Sequence, residues 1–195
     1  MDKATIRELY KKRRQAIGKA ALTDWNNGLL HVLQELSWPA AGYIHVFLPI
    51  LRQNEPDTWH FIDFLQREYP SVKVVISRTN PSNYTMEHFL MHDGIVLQEN
   101  NWGIVEPVDG ERISETAVDV VLIPLLVADC KGNRVGYGKG FYDRFLAQCR
   151  PDCVKIGVSY FDPIDKIDDV GSYDIPLDML VTPKRAYRFS TLLNL

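Results

Sequence analysis

Between Arg134 and Asp143 the chain reads Arg-Val-Gly-Tyr-Gly-Lys-Gly-Phe-Tyr-Asp, with glycines at the alternate positions Gly136, Gly138 and Gly140. Alternating glycines let a backbone approach a ligand closely and enter positive φ. The Phe141–Leu146 run that follows predicts a helix, whose first N–H groups and positive dipole end suit a phosphate. Arg134 and Lys139 add positive charge at that point, and Asp143 adds a carboxylate. The pattern is neither Gly-x-x-x-x-Gly-Lys-Ser/Thr nor Gly-x-Gly-x-x-Gly. A tight strand-to-helix turn would also use these glycines, but it gives the flanking charges no role. Upstream, Asp129 in Asp129-Cys130-Lys131-Gly132 is placed to close a turn rather than to catalyse.

Other charged residues read more than one way. Lys3 and Arg7 share a helical face, which by spacing alone is a solvated basic face that includes Lys11 and Arg14. Glu55 follows the first strand, where open α/β sheets gather ligand contacts, and it could equally cap the next helix. Asp143 with Asp174 or Asp178 could hold Mg²⁺, which takes one or two carboxylates plus phosphate oxygens; turn or capping roles are the alternative. His88 and His92 lie four apart without a Glu partner, in a segment that reads as strand, and do not make a zinc site. Cys130, Cys149 and Cys153 form no CxxC pair and read as free thiols.

The elements that must position these groups alternate between helix and strand. A basic amphipathic helix carries Ile6, Leu9, Tyr10 and Ile17, and a second, capped by Thr23, runs to Leu36. Gly42–Leu48 reads as a buried strand, and Pro56 opens a helix that ends before Pro70. Val72–Ser77, Thr85–Met91, Gly94–Leu97, Val118–Ile123, Val154–Tyr160 and Met179–Thr182 complete the strands. Such alternation predicts a single three-layer α/β domain over residues 1–195, a mostly parallel sheet with helices on both faces. The tail Tyr187–Leu195 carries Phe189, Leu192, Leu193 and Leu195, apolar enough to dock on the core or on a partner chain.

Composition narrows the function classes. Of 195 residues, 46% are hydrophobic and 24% charged, an ordinary globular balance. Lys plus Arg is 22 against 25 Asp plus Glu, a net charge of −3, so no global field draws the chain to nucleic acid. No apolar run approaches the roughly 20 residues of a membrane span, and Met1–Glu8 has no signal-like apolar core. With the unpaired cysteines, this leads to the expectation of a cytoplasmic protein acting on small molecules, a monomer or weak homo-oligomer.

In order along the chain, Lys3 and Arg7, Phe47-Leu48, Glu55-Pro56-Asp57-Thr58, Gly103–Pro107, Pro124, Gly132–Asp143 and Asp174–Thr182 resemble the 5-formyltetrahydrofolate cyclo-ligase family, also called 5,10-methenyltetrahydrofolate synthetase. The resemblance implies ATP- and Mg²⁺-dependent conversion of 5-formyltetrahydrofolate to 5,10-methenyltetrahydrofolate, with release of ADP and phosphate. It also implies a fold similar to sugar-phosphate isomerases and CoA-transferase-like enzymes. By that resemblance Lys3, Arg7, Arg134 and Lys139 surround the ATP phosphates, with Gly136, Tyr137, Gly138, Gly140, Phe141 and Tyr142 completing the nucleotide site. Leu48, Glu55, Phe141 and Tyr142 match positions near the folate, and Asp143 and Asp174 match those that hold Mg²⁺. Lys139, Arg134 and Tyr142 are the catalytic candidates.

Some positions depart from the family. Some relatives carry Arg where Tyr137 stands, and the Phe141-Tyr142 pair is often Tyr-Tyr. Ser77 replaces a frequent Pro, and the glutamine many relatives carry after the Gly157–Tyr160 strand has no counterpart in Phe161-Asp162-Pro163. Two rival readings remain: a folate- or nucleotide-binding module without turnover, and an isomerase or CoA-transferase-like enzyme that consumes no ATP.

Overall fold

The computed structural model describes residues 1–39 and 42–190. Helix α1 (Lys3–Gln15) starts behind Asp2, whose carboxylate accepts the Thr5 N–H at 2.7 Å, a side-chain cap. It buries Ile6, Tyr10 and Arg14, while Ile17 lies beyond its end. Helix α2 (Lys19–Gln34) starts behind Gly18, not at the Thr23 cap expected from the sequence. Thr23 sits inside it and donates its hydroxyl to the Lys19 carbonyl at 3.2 Å. That back-bond competes with capping, and Ala20-Ala21-Leu22 extend the helix upstream through their high propensity. Helix α3 (Trp59–Glu68) begins three residues past Pro56, where the Asp57 carboxylate accepts the Trp59 N–H at 3.0 Å.

In chain order the strands are β1 (Gly42–His45), β2 (Val72–Asn80), β3 (Thr85–Leu90), β4 (Leu97–Glu99), β5 (Val105–Pro107) and β6 (Val118–Pro124). After them come β7 (Val127–Ala128), β8 (Arg134–Val135), helix α4 (Phe141–Leu146), β9 (Val154–Val158), β10 (Met179–Val181) and β11 (Ala186–Arg188). The expected strand at Gly94–Leu97 is displaced to Leu97–Glu99, because Ile95 N–H donates to His92 O and closes a turn there. Seven strands form one sheet in the order β11-β10-β9-β6-β1-β2-β3. The five from β10 to β2 are mutually parallel, and the edges β11 and β3 are antiparallel.

Side-chain alternation along these strands builds two cores. Ile44, Val74, Ile76, Val120, Leu122, Ile156 and Val181 meet α2 and α3 on one face, through Leu29, Leu33, Phe61, Ile62 and Leu65. Val75, Val121, Ile123 and Leu180 point the other way and meet Phe145 and Leu146 of α4. The expected two-sided cover is present, although α4, with six residues, covers little of its face. Helix α1 makes a third cluster, Ile6 and Tyr10 against Leu126, Val127 and Val135 of the β7–β8 hairpin. Tyr187 and Phe189 pack on the second core, while Leu192, Leu193 and Leu195 lie outside the described residues. Among the described residues no helix is long and apolar enough to cross a membrane.

Candidate active site

The chain runs from β1 outward to β2 and β3, then returns to the opposite side of β1 for β6, β9 and β10. Sheet order therefore reverses between β1 and β6, and such a switch point opens a crevice at the strands' carboxyl ends. A cleft of about 660 Å³ lies there, reached by Phe47 and Leu48 after β1, Ser77 and Thr79 of β2, and Ile123 and Pro124 of β6. Every residue assigned by resemblance to ATP, folate or Mg²⁺ lines it. Lys3, Arg7, Leu48, Glu55, Arg134, Gly136, Tyr137, Gly138, Lys139, Gly140, Phe141, Tyr142, Asp143 and Asp174 all stand on its walls.

The glycine stretch follows β8 and turns into α4. Gly138 has φ +88° and Gly140 φ +70°, values that L side chains rarely adopt. Arg7 lies over this loop: a Cβ on Gly138 would meet its guanidinium at 3.0–3.2 Å, and its Nε donates to the Gly136 carbonyl at 2.9 Å. Asp129 anchors the loop's start, accepting the Lys131 and Asn133 N–H groups at 2.9 and 3.0 Å, as a turn-closing role requires.

Charge is arranged in pairs. Arg134 Nη2 donates to Asp143 Oδ1 at 2.6 Å, and a second nitrogen reaches the Ile175 carbonyl. Burial lowers the Arg134 guanidinium from its usual value, and the Asp143 charge partly offsets it. Lys3 Nζ is ion-paired with Asp174 Oδ2. Partial burial opposes ionisation of Asp174, but Lys3, the Gly171 N–H and Arg134 overcome it and hold the carboxyl below its ordinary value. Lys139 is exposed, its ammonium 5.7 Å from the centroid of the Tyr84 ring. The solvated basic face that spacing favoured for α1 is therefore wrong for three of its members: Lys3 and Arg7 face the cleft, and Arg14 is buried.

Glu55 is 3% exposed and does not cap α3. Oε2 accepts the Ile50 N–H at 2.8 Å and Oε1 accepts the Tyr137 hydroxyl. Burial raises the Glu55 carboxyl, with those two hydrogen bonds acting against it. Burial also pushes the Tyr142 hydroxyl well above its ordinary range, so it stays a neutral phenol, able to donate. Leu48, Met86, Ile104, Trp102, Tyr84 and Phe141 add apolar and aromatic surface to the cleft wall, suited to a planar heterocycle. Sequence reasoning missed Tyr84 and Trp102. Trp102 adjoins the family-like stretch at Gly103, a usable signal, whereas Tyr84 sits in a turn with no periodicity.

A second missed feature lies beneath this wall. His45 Nε2 and Ser77 Oγ are 2.6 Å apart, and Ser77 Oγ is 3.3 Å from His88 Nδ1. Both imidazoles are buried, and His88 stacks on Phe145 at 3.9 Å. His92, in contrast, is exposed. Burial depresses both histidines, His88 from 6.5 to about 4. The unfolded chain therefore binds protons between those values that the folded chain refuses, and stability must rise with pH there. Urea unfolding should show full stability above pH about 6.5 and progressive loss toward pH about 4; a flat profile over this interval would contradict the burial of neutral imidazoles.

Asp143 and Asp174 fit a Mg²⁺–phosphate complex by donor type: they are two carboxylates on one cleft, and Mg²⁺ typically adds substrate oxygens to one or two carboxylates. Among the described residues no cluster of three or more His, Cys, Asp or Glu stands ready to hold an ion unaided. Asp178, the other carboxylate considered, is not on the cleft wall; it pairs with Lys155 at 2.7 Å.

Fold and site together define a single-domain α/β protein with a cleft at the sheet's switch point, lined by a glycine-rich loop with basic residues and by aromatic side chains. A family model described as the 5-formyltetrahydrofolate cyclo-ligase family matches residues 1–183, and the chain belongs to that family. It is 30% identical over 106 residues to a probable 5-formyltetrahydrofolate cyclo-ligase of Schizosaccharomyces pombe, covering 47% of this chain and 52% of that one. The chain thus spans about half the length of this relative, and 29% of the mouse 5-formyltetrahydrofolate cyclo-ligase, to which it is 38% identical over 58 residues. Against the 5-formyltetrahydrofolate cyclo-ligase of Escherichia coli it is 26% identical over 188 residues, covering 94% of this chain and 97% of that one. The solved 5,10-methenyltetrahydrofolate synthetase of Aquifex aeolicus superposes with TM-score 0.82 at 25% identity, covering 100% of this chain and 96% of that one.

Proposed function

We propose that the chain, as one domain over residues 1–195, is an ATP-dependent 5-formyltetrahydrofolate cyclo-ligase of the cytoplasm. The observation that carries this reading is a single cleft lined by the glycine loop with Arg7 and Lys139, by aromatic side chains and by the buried Glu55 carboxylate. The N5-formyl group is an amide whose oxygen leaves poorly. Transfer of the γ-phosphoryl of ATP to that oxygen forms an O–P bond and releases ADP. N10 then attacks the formyl carbon and gives up its proton to solvent or phosphate, and the C–O bond breaks with loss of phosphate, leaving the methenyl bridge.

Phosphoryl transfer of this kind depends on positioning and charge neutralisation. Lys139 is the group assigned to the transferring phosphoryl, because its ammonium is exposed on the cleft and, among the described residues, no carboxylate ties it down. Arg7 and the Gly136–Gly140 backbone bind the other phosphates, with Lys3 and Arg134 adding charge. Asp143 and Asp174 would hold Mg²⁺, which when bound neutralises phosphate charge. Glu55 accepts hydrogen bonds from the N–H groups of the reduced pterin, the Tyr142 phenol donates toward the formyl end, and Leu48 with Phe141 packs on the ring.

Incubating the protein with 5-formyltetrahydrofolate and Mg-ATP tests the reading through methenyl absorbance and ADP release. Binding without product would make it a non-catalytic module, and turnover of another substrate without ATP would make it an isomerase or CoA-transferase-like enzyme. Within this scheme Asp143→Asn should raise the Mg²⁺ concentration for half-maximal rate about tenfold, since a neutral amide oxygen replaces an anionic ligand. An unchanged Mg²⁺ titration would remove Asp143 from the metal site.

A further inference from the structure

Arg14 is the only lysine or arginine buried as a whole residue among the described residues, at 2% exposure. It occupies the last turn of α1, and its main-chain carbonyl accepts Asn54 Nδ2 at 3.2 Å, one residue before Glu55. Its Nη2 donates to the Tyr137 hydroxyl, and that hydroxyl donates in turn to Glu55 Oε1. The guanidinium carbon lies 5.3 Å from the Tyr137 ring centroid. Nε and Nη1 are buried without a hydrogen-bond partner. Burying a cation with two unmet donors is costly, and an apolar side chain would fill the space at lower cost. Packing therefore does not account for this arginine; the carboxylate beyond Tyr137 does.

We propose that Arg14 is a positioning residue: acting through the Tyr137 hydroxyl, it holds the Glu55 carboxylate in one orientation toward the folate half of the cleft. The role of Glu55 rests on the folate reading above; the chain of contacts from Arg14 does not. The groups set against Glu55 are Arg14 of α1, Tyr137 after β8, Tyr142 of α4 and Tyr160 after β9, whose hydroxyl donates to the Glu55 main-chain carbonyl at 3.2 Å. Burial raises all three tyrosines, which stay neutral, so Arg14 supplies the only charge in this set. Without it, the buried carboxylate takes up a proton more readily, and the Tyr137 hydroxyl that bonds Oε1 loses the donor that fixes its direction.

The test follows the Glu55 carboxyl directly, by ¹³C NMR titration of ligand-free protein, with the resonance assigned through its loss in Glu55→Gln. Arg14→Gln and Tyr137→Phe should each raise its midpoint by about one pH unit, and Arg14→Lys should return part of that change. The double variant Arg14→Leu with Tyr137→Arg, which moves the guanidinium to the loop, should return most of it. In parallel the KM for 5-formyltetrahydrofolate should rise about tenfold in both single variants, with calorimetric ATP affinity unchanged in Arg14→Gln, whose residue is not on the cleft wall. A midpoint unmoved in both single variants overturns the proposal. So does a fall in melting temperature that neither Arg14→Lys nor the relocated guanidinium repairs. Should Arg14→Gln fail to fold, Tyr137→Phe keeps the ring and carries the test alone. If the wild type makes no methenyl product, the cyclo-ligase reading fails, while the titration midpoints still decide whether Arg14 acts on Glu55.

Discussion

Lys139→Ala will lower kcat by about 100- to 1,000-fold while leaving the melting temperature within a degree or two of wild type. The magnitude is that of removing one charged or hydrogen-bonding group aimed at charge that develops in a transition state. Three features of the structure make Lys139 the residue with most to lose. It is exposed on the cleft between two glycines in positive φ, so its truncation removes no core contact. The other cations near the loop already have protein partners, Lys3 with Asp174 and Arg134 with Asp143. The ammonium stands over the Tyr84 ring at the mouth of the site, where a cation–π contact keeps it loosely placed until an anion arrives. Single-turnover measurement with saturating 5-formyltetrahydrofolate and Mg-ATP isolates the chemical step. A folded variant with kcat within threefold of wild type would show that Lys139 does not face the transferring phosphoryl.

Glu55→Gln should cut kcat/KM for 5-formyltetrahydrofolate by about 10- to 100-fold, with ATP affinity unchanged when measured alone by calorimetry. Hydrogen bonds to a charged acceptor contribute about 1.5–3 kcal/mol, roughly twice their neutral counterparts. Glutamine keeps the shape of the side chain, so the loss reports charge and not a cavity. Arg7→Ala should do the reverse and weaken ATP while sparing folate. Its Nε is held by the Gly136 carbonyl, and a guanidinium offers five donors suited to phosphate oxygens. Contacts of this kind are local, so each loss falls on the ligand it touches. Because ATP could order the folate pocket, each ligand must be titrated separately. Loss of ATP binding in Glu55→Gln with folate binding intact would invert the two half-sites.

Much of this molecule was legible in one dimension because the signals are local. Gly136, Gly138 and Gly140 announce the tight loop that turns into α4, since Gly138 and Gly140 take up positive φ without help from distant segments. Asp129 closes its turn through N–H groups two and four residues away. The apolar run at Val118 becomes the central β6 because both of its faces are covered. Where local chemistry was ambiguous, reading failed by a few residues, as at Thr23, which bonds backward inside α2. The two-residue strands β7 and β8 are too short for any periodicity to register.

What only the tertiary structure decided is which charges are inside. The basic residues of α1 have the spacing of a solvated face; Arg14 also continues the Ile6–Tyr10 stripe at every fourth residue, but that spacing does not name a partner for its charge. Lys12 points to solvent and pairs with Glu8 four residues back, whereas Arg14 is drawn inside by a partner 123 residues away. The same holds for Glu55, whose hydroxyl donor Tyr137 is 82 residues distant, and for Lys3 with Asp174, 171 apart. A charge is stable in the interior only where its partners converge on it. Convergence of that kind depends on the docking of α1 against the β7–β8 hairpin and on the reversal of sheet order at β1, and neither event leaves a mark on the sequence around any one of these residues.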